Sequence, residues 1–351
     1  MAKKRKKSFW YSITHQTKLD RASYLKMVNR VGMFVGIGFA ASIAVFAGIA
    51  IFGGFQNVLG VIARANPYIY ALAFVAVFAS LLLRFVKWNY FLKVMGLKVS
   101  LRKNLAVYFS LYSMNITPGN AGRVVAAYTL NRITKIRFVN IVPIVTMDIF
   151  TDFIGFATLA ILAAIYFHMY ITYILLVDIL LLIPFLFILN DWLYNLLKSV
   201  LRKSRFIKTF TPYGEEYFAS QSKLNTPKVY AVSLFVTLPA AFLNSLTLFF
   251  ALTSLGIAPS IAGSVFVYSS STMFGMATAI PGSIGVTDGA LVALVGSVFH
   301  LDASMSSAVT IMSRLADLWF SVIIGALFFF YTLRYWKPSE MELVRRGSGS
   351  R

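Results

Sequence analysis

The chain has 351 residues, of which 58% are hydrophobic and 13% charged; soluble domains run near ~45–50% apolar and ~25% charged. A soluble globule of this size cannot hide so much apolar surface, so a soluble enzyme is excluded. With 33 Lys+Arg against 12 Asp+Glu the net charge is +21, and beside a mean hydropathy of +0.74 that charge points to a membrane and not to nucleic acid. Cysteine is absent and His15, His168 and His300 are scattered, so neither a thiolate nor a histidine metal site is expected, and no cofactor.

Residues 1–30 are polar and basic and read as a cytoplasmic segment. The apolar run that follows, Val31 to Phe52, is 22 residues long. That exceeds the ~7–15 apolar residues of a signal peptide and matches the ~20 that a helix needs to cross a bilayer. Seven more apolar segments follow, at about 67–86, 104–131, 139–167, 171–189, 229–253, 261–299 and 305–333. Two are broken, 104–131 at Thr117-Pro118-Gly119-Asn120 and 261–299 at Pro281-Gly282-Ser283-Ile284-Gly285. Such breaks persist in a membrane only where the freed backbone faces protein or a wet cavity. Within the basic loop 190–228, Pro212 to Leu224 reads as a surface helix.

The cations sort by position. Residues 1–30 hold 9 Lys/Arg, 84–103 hold 6, 132–137 hold 3, 190–228 hold 7 and 334–351 hold 5. Lys and Arg collect in short cytoplasmic loops, so all five segments are expected inside, with both termini cytoplasmic. Residues 104–131 then start and end inside, and 28 residues are too few for two crossings of ~20 each. The segment reads as an inner hairpin. By the same parity 261–299 reads as an outer hairpin, although its 39 residues could just make two crossings. The expected fold is an all-α polytopic membrane protein with six full spans and two broken or re-entrant hairpins. The first repeat is 31–189, the second 229–333, and the second repeats the first upside down. Inverted repeats with broken helices mark secondary transporters. Residues 334–351 form a basic cytoplasmic tail.

Charges inside a bilayer cost at least ~2.5–3.5 kcal/mol each on insertion scales, so each needs a reason. The candidates are Arg123, Asp148, Asp152, Asp178, Asp288, Arg314 and Asp317. Asn120 is a candidate N-cap for a half-helix whose positive end, with Arg123, suits an anion. The alternative for Arg123 is a structural pairing with Asp148 or Asp152. These two acids stand four apart on one helix face and suit ion pairing or proton relay. Arg314 and Asp317, three apart, are expected to pair locally. Asp288 lies in a first helical turn, where it suits the helix dipole as well as a ligand. Asp178, alone in its segment, has no assigned role. Ser269, Ser270, Ser271 and Thr272 read as polar glue between helices. No Gly-rich phosphate loop, hydrolase triad or metal-ligand spacing is present, so no catalytic residue is assigned.

The run Thr117-Pro118-Gly119-Asn120-Ala121-Gly122-Arg123 through Ala127-Tyr128-Thr129-Leu130 resembles the first conserved segment of the lysylphosphatidylglycerol synthase transmembrane family, the flippase-like or UPF0104 proteins. Pro281-Gly282-Ser283-Ile284-Gly285-Val286-Thr287-Asp288-Gly289-Ala290-Leu291 resembles its second segment, where the family usually carries Glu at the position of Asp288. Asp148 and Asp152 stand like the family's acid pair, and Arg314-Leu315 with Trp319 match its last helix. The resemblance covers residues 31–333. One departure is clear. The family often reads Gly-Glu-x-x-Arg where this chain reads Gly122-Arg123-Val124-Val125-Ala126.

The resemblance implies a plasma-membrane protein that moves a phosphate-bearing lipid, either a phospholipid or a polyprenol-phosphate-linked sugar. No soluble aminoacyl-transferring domain is expected. Headgroup binding is expected at Asn120, Arg123, Ser283, Asp288 and Arg314, with Asp148, Asp152 and Asp317 as proton relay or ion-pair support. Two other readings stay open: a secondary transporter of a small solute, and a non-transporting lipid-binding partner of a glycosyltransferase. The expected partners are an anionic or phosphate-bearing lipid and a lipid-modifying enzyme, and not nucleic acid.

Overall fold

The computed structural model describes residues 21–115, 124–167, 192, 214–278 and 281–335. Among these the chain is helical and has no strand. The elements are α1 (Arg21–Phe52), α2 (Phe55–Ala63), α3 (Pro67–Val94), α4 (Leu101–Ser110) with a 3-10 turn at Leu111–Met114, α5 (Val124–Thr134) and α6 (Phe138–Phe167). After a short helix at residues 214–221 come α7 (Pro227–Ser254), α8 (Ile261–Ala277), α9 (Val286–Phe299), α10 (Ala303–Arg314), a π-turn at Leu315–Trp319 and α11 (Phe320–Thr332). The second broken segment thus becomes α8 and α9, 17 and 14 residues long, each short of a 30 Å crossing at about 1.5 Å per residue. They pack on each other.

The helices start where their sequence tells them to. Asn66 accepts the amides of Tyr68 and Ile69 ahead of α3, and Thr226 accepts that of Val229 ahead of α7, each with proline in the first position. Ser260 accepts the Gly263 amide and Asp302 that of Met305, opening α8 and α10. Each cap satisfies an amide that has no partner within its own helix.

Among the described residues four helices are long and apolar enough to cross a membrane: Pro67–Val94, Phe138–Tyr166, Pro227–Ser254 and Ala303–Tyr335. The first predicted span is followed by a helix that its sequence did not suggest. α2 turns away from α1 by 97° at Gly53 and Gly54, and Gly54 takes φ +80°, a conformation that costs glycine little. The corner is pinned because the Ser304 hydroxyl of α10 donates to the Gly53 carbonyl at 2.7 Å. The predicted span 171–189, the break at 117–120 and Asp178 lie outside the described residues.

α3 and α7 make the most extensive helix pair. Both helices bury small residues, Ala73, Ala76 and Ser80 on α3 and Ala240, Ala241, Ser245 and Ala251 on α7. Apolar tails give no hydrophobic drive between helices in lipid, so close backbone approach supplies the attraction. Ser80 locks the pair by donating to the Ala240 carbonyl at 2.7 Å. Large apolar side chains such as Ile51, Phe235, Leu327 and Phe330 point outward, as a lipid-facing surface requires.

Two large apolar clusters, with two smaller ones beside them, form the core among the described residues. One gathers Trp88, Tyr108, Leu130 and Ile141; the other gathers Phe153, Leu248, Tyr268 and Leu291. α6 belongs to both, its first part to one and its second part to the other. Asp148, Thr151 and Asp152 fall at the join and are buried.

That join corrects the charge reading. Arg84 and Lys87 are counted above among the cytoplasmic cations of 84–103. Instead α3 runs unbroken to Val94 and buries them, at 7% and 0% exposure. The physical reason lies on α6, where Asp148 and Asp152 meet them as counter-charges.

Candidate functional site

The buried charges fall into two groups. In the first, Lys87 Nζ lies 3.1 Å from Asp148 Oδ1 and 2.6 Å from Asp152 Oδ1. The same ammonium donates to the Thr151 hydroxyl at 3.0 Å and to the Asp148 carbonyl at 3.2 Å. Arg84 Nη1 donates to Asp152 Oδ2 at 2.9 Å, and its guanidinium stands 5.4 Å from the centre of the Phe156 ring. Spacing brings the four together. Arg84 and Lys87 are three apart on α3, Asp148 and Asp152 four apart on α6, so each pair shares one face.

The second group ties the outer turn to the last span. Arg314 Nε donates to Asp288 Oδ1 at 2.8 Å, and Arg314 Nη2 donates to the Gly282 carbonyl at 2.9 Å. The other Asp288 oxygen accepts the Gly285 amide at 2.7 Å. One carboxylate therefore caps α9 and holds an arginine from α10. The expected local pair of Arg314 with Asp317 is the looser contact, at 3.6 Å. Asp317 takes a shorter hydrogen bond, 2.7 Å from Asn244 Nδ2. Asn244 on α7 is a hub. Its amide nitrogen also reaches the Tyr268 hydroxyl at 2.8 Å, and its oxygen accepts from Ser80 at 2.7 Å.

The turn itself is tight. Gly282, Ser283 and Gly285 all have positive φ, which for serine marks a held conformation. Gly275 packs so closely that an added Cβ would collide with the Thr287 hydroxyl and stand 2.5 Å from the Ser283 Cβ. A π-turn at Leu315–Trp319 follows Arg314; such turns widen a helix locally and are frequent at functional sites.

Between the groups lies a cavity of about 120 Å³. Arg84, Asn115, Ile149, Asp152 and Phe156 line it from the N-terminal half. Asn244, Tyr268, Thr272, Met276, Gly282, Ser283, Arg314, Asp317 and Leu318 line it from the C-terminal half. Its wall thus holds two guanidinium groups and two carboxylates beside the polar side chains of Asn115, Asn244, Tyr268, Thr272 and Ser283.

Of the sequence candidates, Ser283, Arg314, Asp152 and Asp317 line this cavity. Asp288 and Asp148 are not on its wall: Asp288 is bonded to Arg314, which lines the cavity, and Asp148 to Lys87, which does not. Asn120 and Arg123 lie outside the described residues. Ser269 does join helices, its hydroxyl 3.3 Å from that of Ser245 on α7, and the Thr272 hydroxyl donates to its own helix at the Tyr268 carbonyl. Sequence reasoning missed Arg84, Lys87, Asn244, Tyr268 and Ser80. The available signal was the lone Asn244 within an apolar span, and two cations three apart before α3 had any break. Including them, the described buried charges are three cations, Arg84, Lys87 and Arg314, against Asp148, Asp152 and Asp288, with Asp317 half-buried beside them. The near balance removes the acid excess implied by the sequence candidates alone. Among the described residues no His/Cys/Asp/Glu group could hold a metal ion.

No curated protein matches the chain. The model of one family matches residues 39–325, which takes in α2 to α10, both charge groups and the cavity. The chain is a multi-pass membrane protein of helices, and it belongs to the lysylphosphatidylglycerol synthase TM region family.

Proposed function

We propose that this protein carries a phosphate-bearing lipid between the two leaflets of the plasma membrane. The observation that carries the reading is the charged cavity between the N-terminal and C-terminal halves, built from side chains near the middle of membrane-spanning helices. Maintaining charges there costs several kcal/mol, roughly 2.5–3.5 for each on insertion scales, which a purely structural bundle has no need to meet. A cavity of about 120 Å³ holds a phosphoryl headgroup while acyl or prenyl tails remain in lipid.

The proposed mechanism is alternating access. The N-terminal half, with α4 and α5, and the C-terminal half, with α8 and α9, act as inverted repeats with cytoplasmic termini. They rock about the headgroup site, as in other transporters built this way. Arg314 lends positive potential, and Ser283 and Asn244 lend hydrogen bonds. Asp288 holds Arg314 and the turn in place. Asp148 and Asp152 balance Lys87 and Arg84, so the site stays near neutral without cargo. No nucleotide motif is present, so a gradient of lipid or ions drives the movement. The family's description, the membrane region of a synthase named for a phospholipid, supports a lipid cargo over a small solute.

The test is reconstitution in liposomes carrying fluorescent phosphatidylglycerol or a short polyprenyl phosphate in one leaflet. Faster exposure to an external quencher with protein than without is expected. No acceleration with either lipid would end this reading.

A further inference from the structure

Two arginines line the cavity, and they differ in one respect. The Nε–H and Nη2–H of arginine point along the same edge of the guanidinium plane and make a two-toothed fork for oxyanions. In Arg314 this edge is filled by protein, with Nε on Asp288 at 2.8 Å and Nη2 on the Gly282 carbonyl at 2.9 Å. In Arg84 only Nη1 is engaged, by Asp152 at 2.9 Å. Its Nε and Nη2 are buried and have no acceptor among the described residues.

The Arg84 side chain is 8% exposed, so these two donors are also cut off from bulk water. A buried donor left without an acceptor costs about 1–3 kcal/mol, and more when charged. The orientation is nonetheless fixed from two sides, by Asp152 at Nη1 and by the face of Phe156 5.4 Å away. A guanidinium held in place with its fork unfilled, on the wall of a cavity, is built to receive two oxygens of one anion.

We infer that Arg84 is the side chain that takes the phosphate oxyanion of the cargo, through a bidentate Nε/Nη2 contact, while Arg314 stays bound to the outer turn. This rests on the lipid-transport reading and names the binding residue within it. Asp152 keeps Nη1 throughout, so the anion adds to the ion-pair network and does not break it. Neither fork atom is reached by solvent in this conformation, so the oxyanion reaches the fork as the halves move and not by simple diffusion into a rigid site.

The experiment uses the full chain, purified in a non-ionic detergent, with dihexanoyl phosphatidylglycerol and inorganic phosphate as separate probes, read by thermal shift and titration. Dihexanoyl glycerol, which lacks phosphate, is the control. Wild type is expected to be stabilised by a phosphate probe and not by the control. A response to the phospholipid alone assigns the oxyanion to a lipid headgroup. A response to both probes assigns it to the phosphate group itself; either supports the role of Arg84. Arg84→Lys keeps a cation beside Asp152 but has no fork, so affinity is expected to fall at least tenfold with the unliganded melting point held. A folded Arg84→Lys protein that binds as wild type does would overturn the inference.

A wild-type measurement covers the case of a variant that does not fold. Phosphate should compete with the phospholipid far better than chloride at equal ionic strength, because a fork selects paired oxygens. Equal competition by both would refute the bidentate contact. Lipid transport by a wild-type protein that binds no phosphate probe would defeat this inference alone, whereas absence of transport would defeat the reading beneath it.

Discussion

Asp288 offers the sharpest test of how the outer turn is held. Its two oxygens do separate work, one accepting the Gly285 amide at 2.7 Å and the other the Arg314 Nε at 2.8 Å. Asp288→Ala removes both. Breaking a buried pair by deleting one partner costs roughly 3–5 kcal/mol, because the surviving charge is left uncompensated. Loss of a helix cap costs about 0.5–2 kcal/mol more. Arg314 keeps the Gly282 carbonyl and a 3.6 Å contact to Asp317, which holds the total toward the lower end, about 3–5 kcal/mol. Asp288→Asn keeps an acceptor for Gly285 but leaves Arg314 without its counter-charge, so it should cost less than Asp288→Ala only by the cap, about 0.5–2 kcal/mol. Pairing Asp288→Asn with Arg314→Met then removes the orphaned charge and should recover part of the Asp288→Ala loss. The assay is equilibrium unfolding in mixed micelles, followed by the fluorescence of the 5 tryptophans. A cost for Asp288→Ala below about 1 kcal/mol would refute the claim that this buried pair holds the turn to the last span. Equal losses for Ala and Asn would refute the capping role.

The remaining predictions use the same measurement unless stated. Lys87→Met should destabilise by about 3–5 kcal/mol, whereas Lys93→Met, exposed one and a half turns further along the same helix, should change stability by less than about 0.5 kcal/mol; similar values for the two would return Lys87 to the cytoplasmic face. Gly325→Ala should cost about 1–3 kcal/mol, because its Cβ would strike the backbone of Tyr112 and Ser113. Gly289→Ala, whose Cβ meets nothing within 4 Å, should be neutral or gain up to about 1 kcal/mol from helix propensity. Asn244→Leu removes the partner of Ser80, Tyr268 and Asp317 at once. Interhelical hydrogen bonds average about 0.6 kcal/mol each in a membrane protein, so about 1–2 kcal/mol is expected. A larger effect on lipid exchange in liposomes than on stability would place Asn244 at the cargo.

Much of the architecture is written locally. Apolar length places spans at about 67–86, 139–167 and 229–253, and the helices Pro67–Val94, Phe138–Tyr166 and Pro227–Ser254 stand there, because ~20 apolar residues cross a bilayer whatever surrounds them. The caps at Asn66, Thr226, Ser260 and Asp302 are equally local, since each side chain satisfies an amide within three residues. The Pro281–Gly285 turn was also legible, because proline and glycine interrupt a helix in any context. The 97° corner after Phe52 was not, since Gly53-Gly54 reads as an ordinary flexible pair until Ser304 pins it from 251 residues away.

The candidate site divides the same way. The sequence alone marks Asp148, Asp152, Asp288, Arg314 and Asp317 as intramembrane charges, because a charge in an apolar run is anomalous by composition. It also fixes which of them share a helix face. It cannot choose partners between helices. Arg84 and Lys87 fall at the end of the predicted span 67–86, where a cation is normally read as a topology signal. Only the packing of α3 against α6 brings Asp148 and Asp152 to them and moves them indoors. Likewise Arg314 and Asp317 are neighbours in sequence, yet the tertiary structure gives Arg314 to Asp288 and Asp317 to Asn244. The +21 of the whole chain, sorted along the sequence, predicts an orientation in the membrane by a count that needs no structure. The three described cations within the bundle, and the unfilled edge on Arg84, depend on distances of about 3 Å between helices that hydropathy and charge order do not encode.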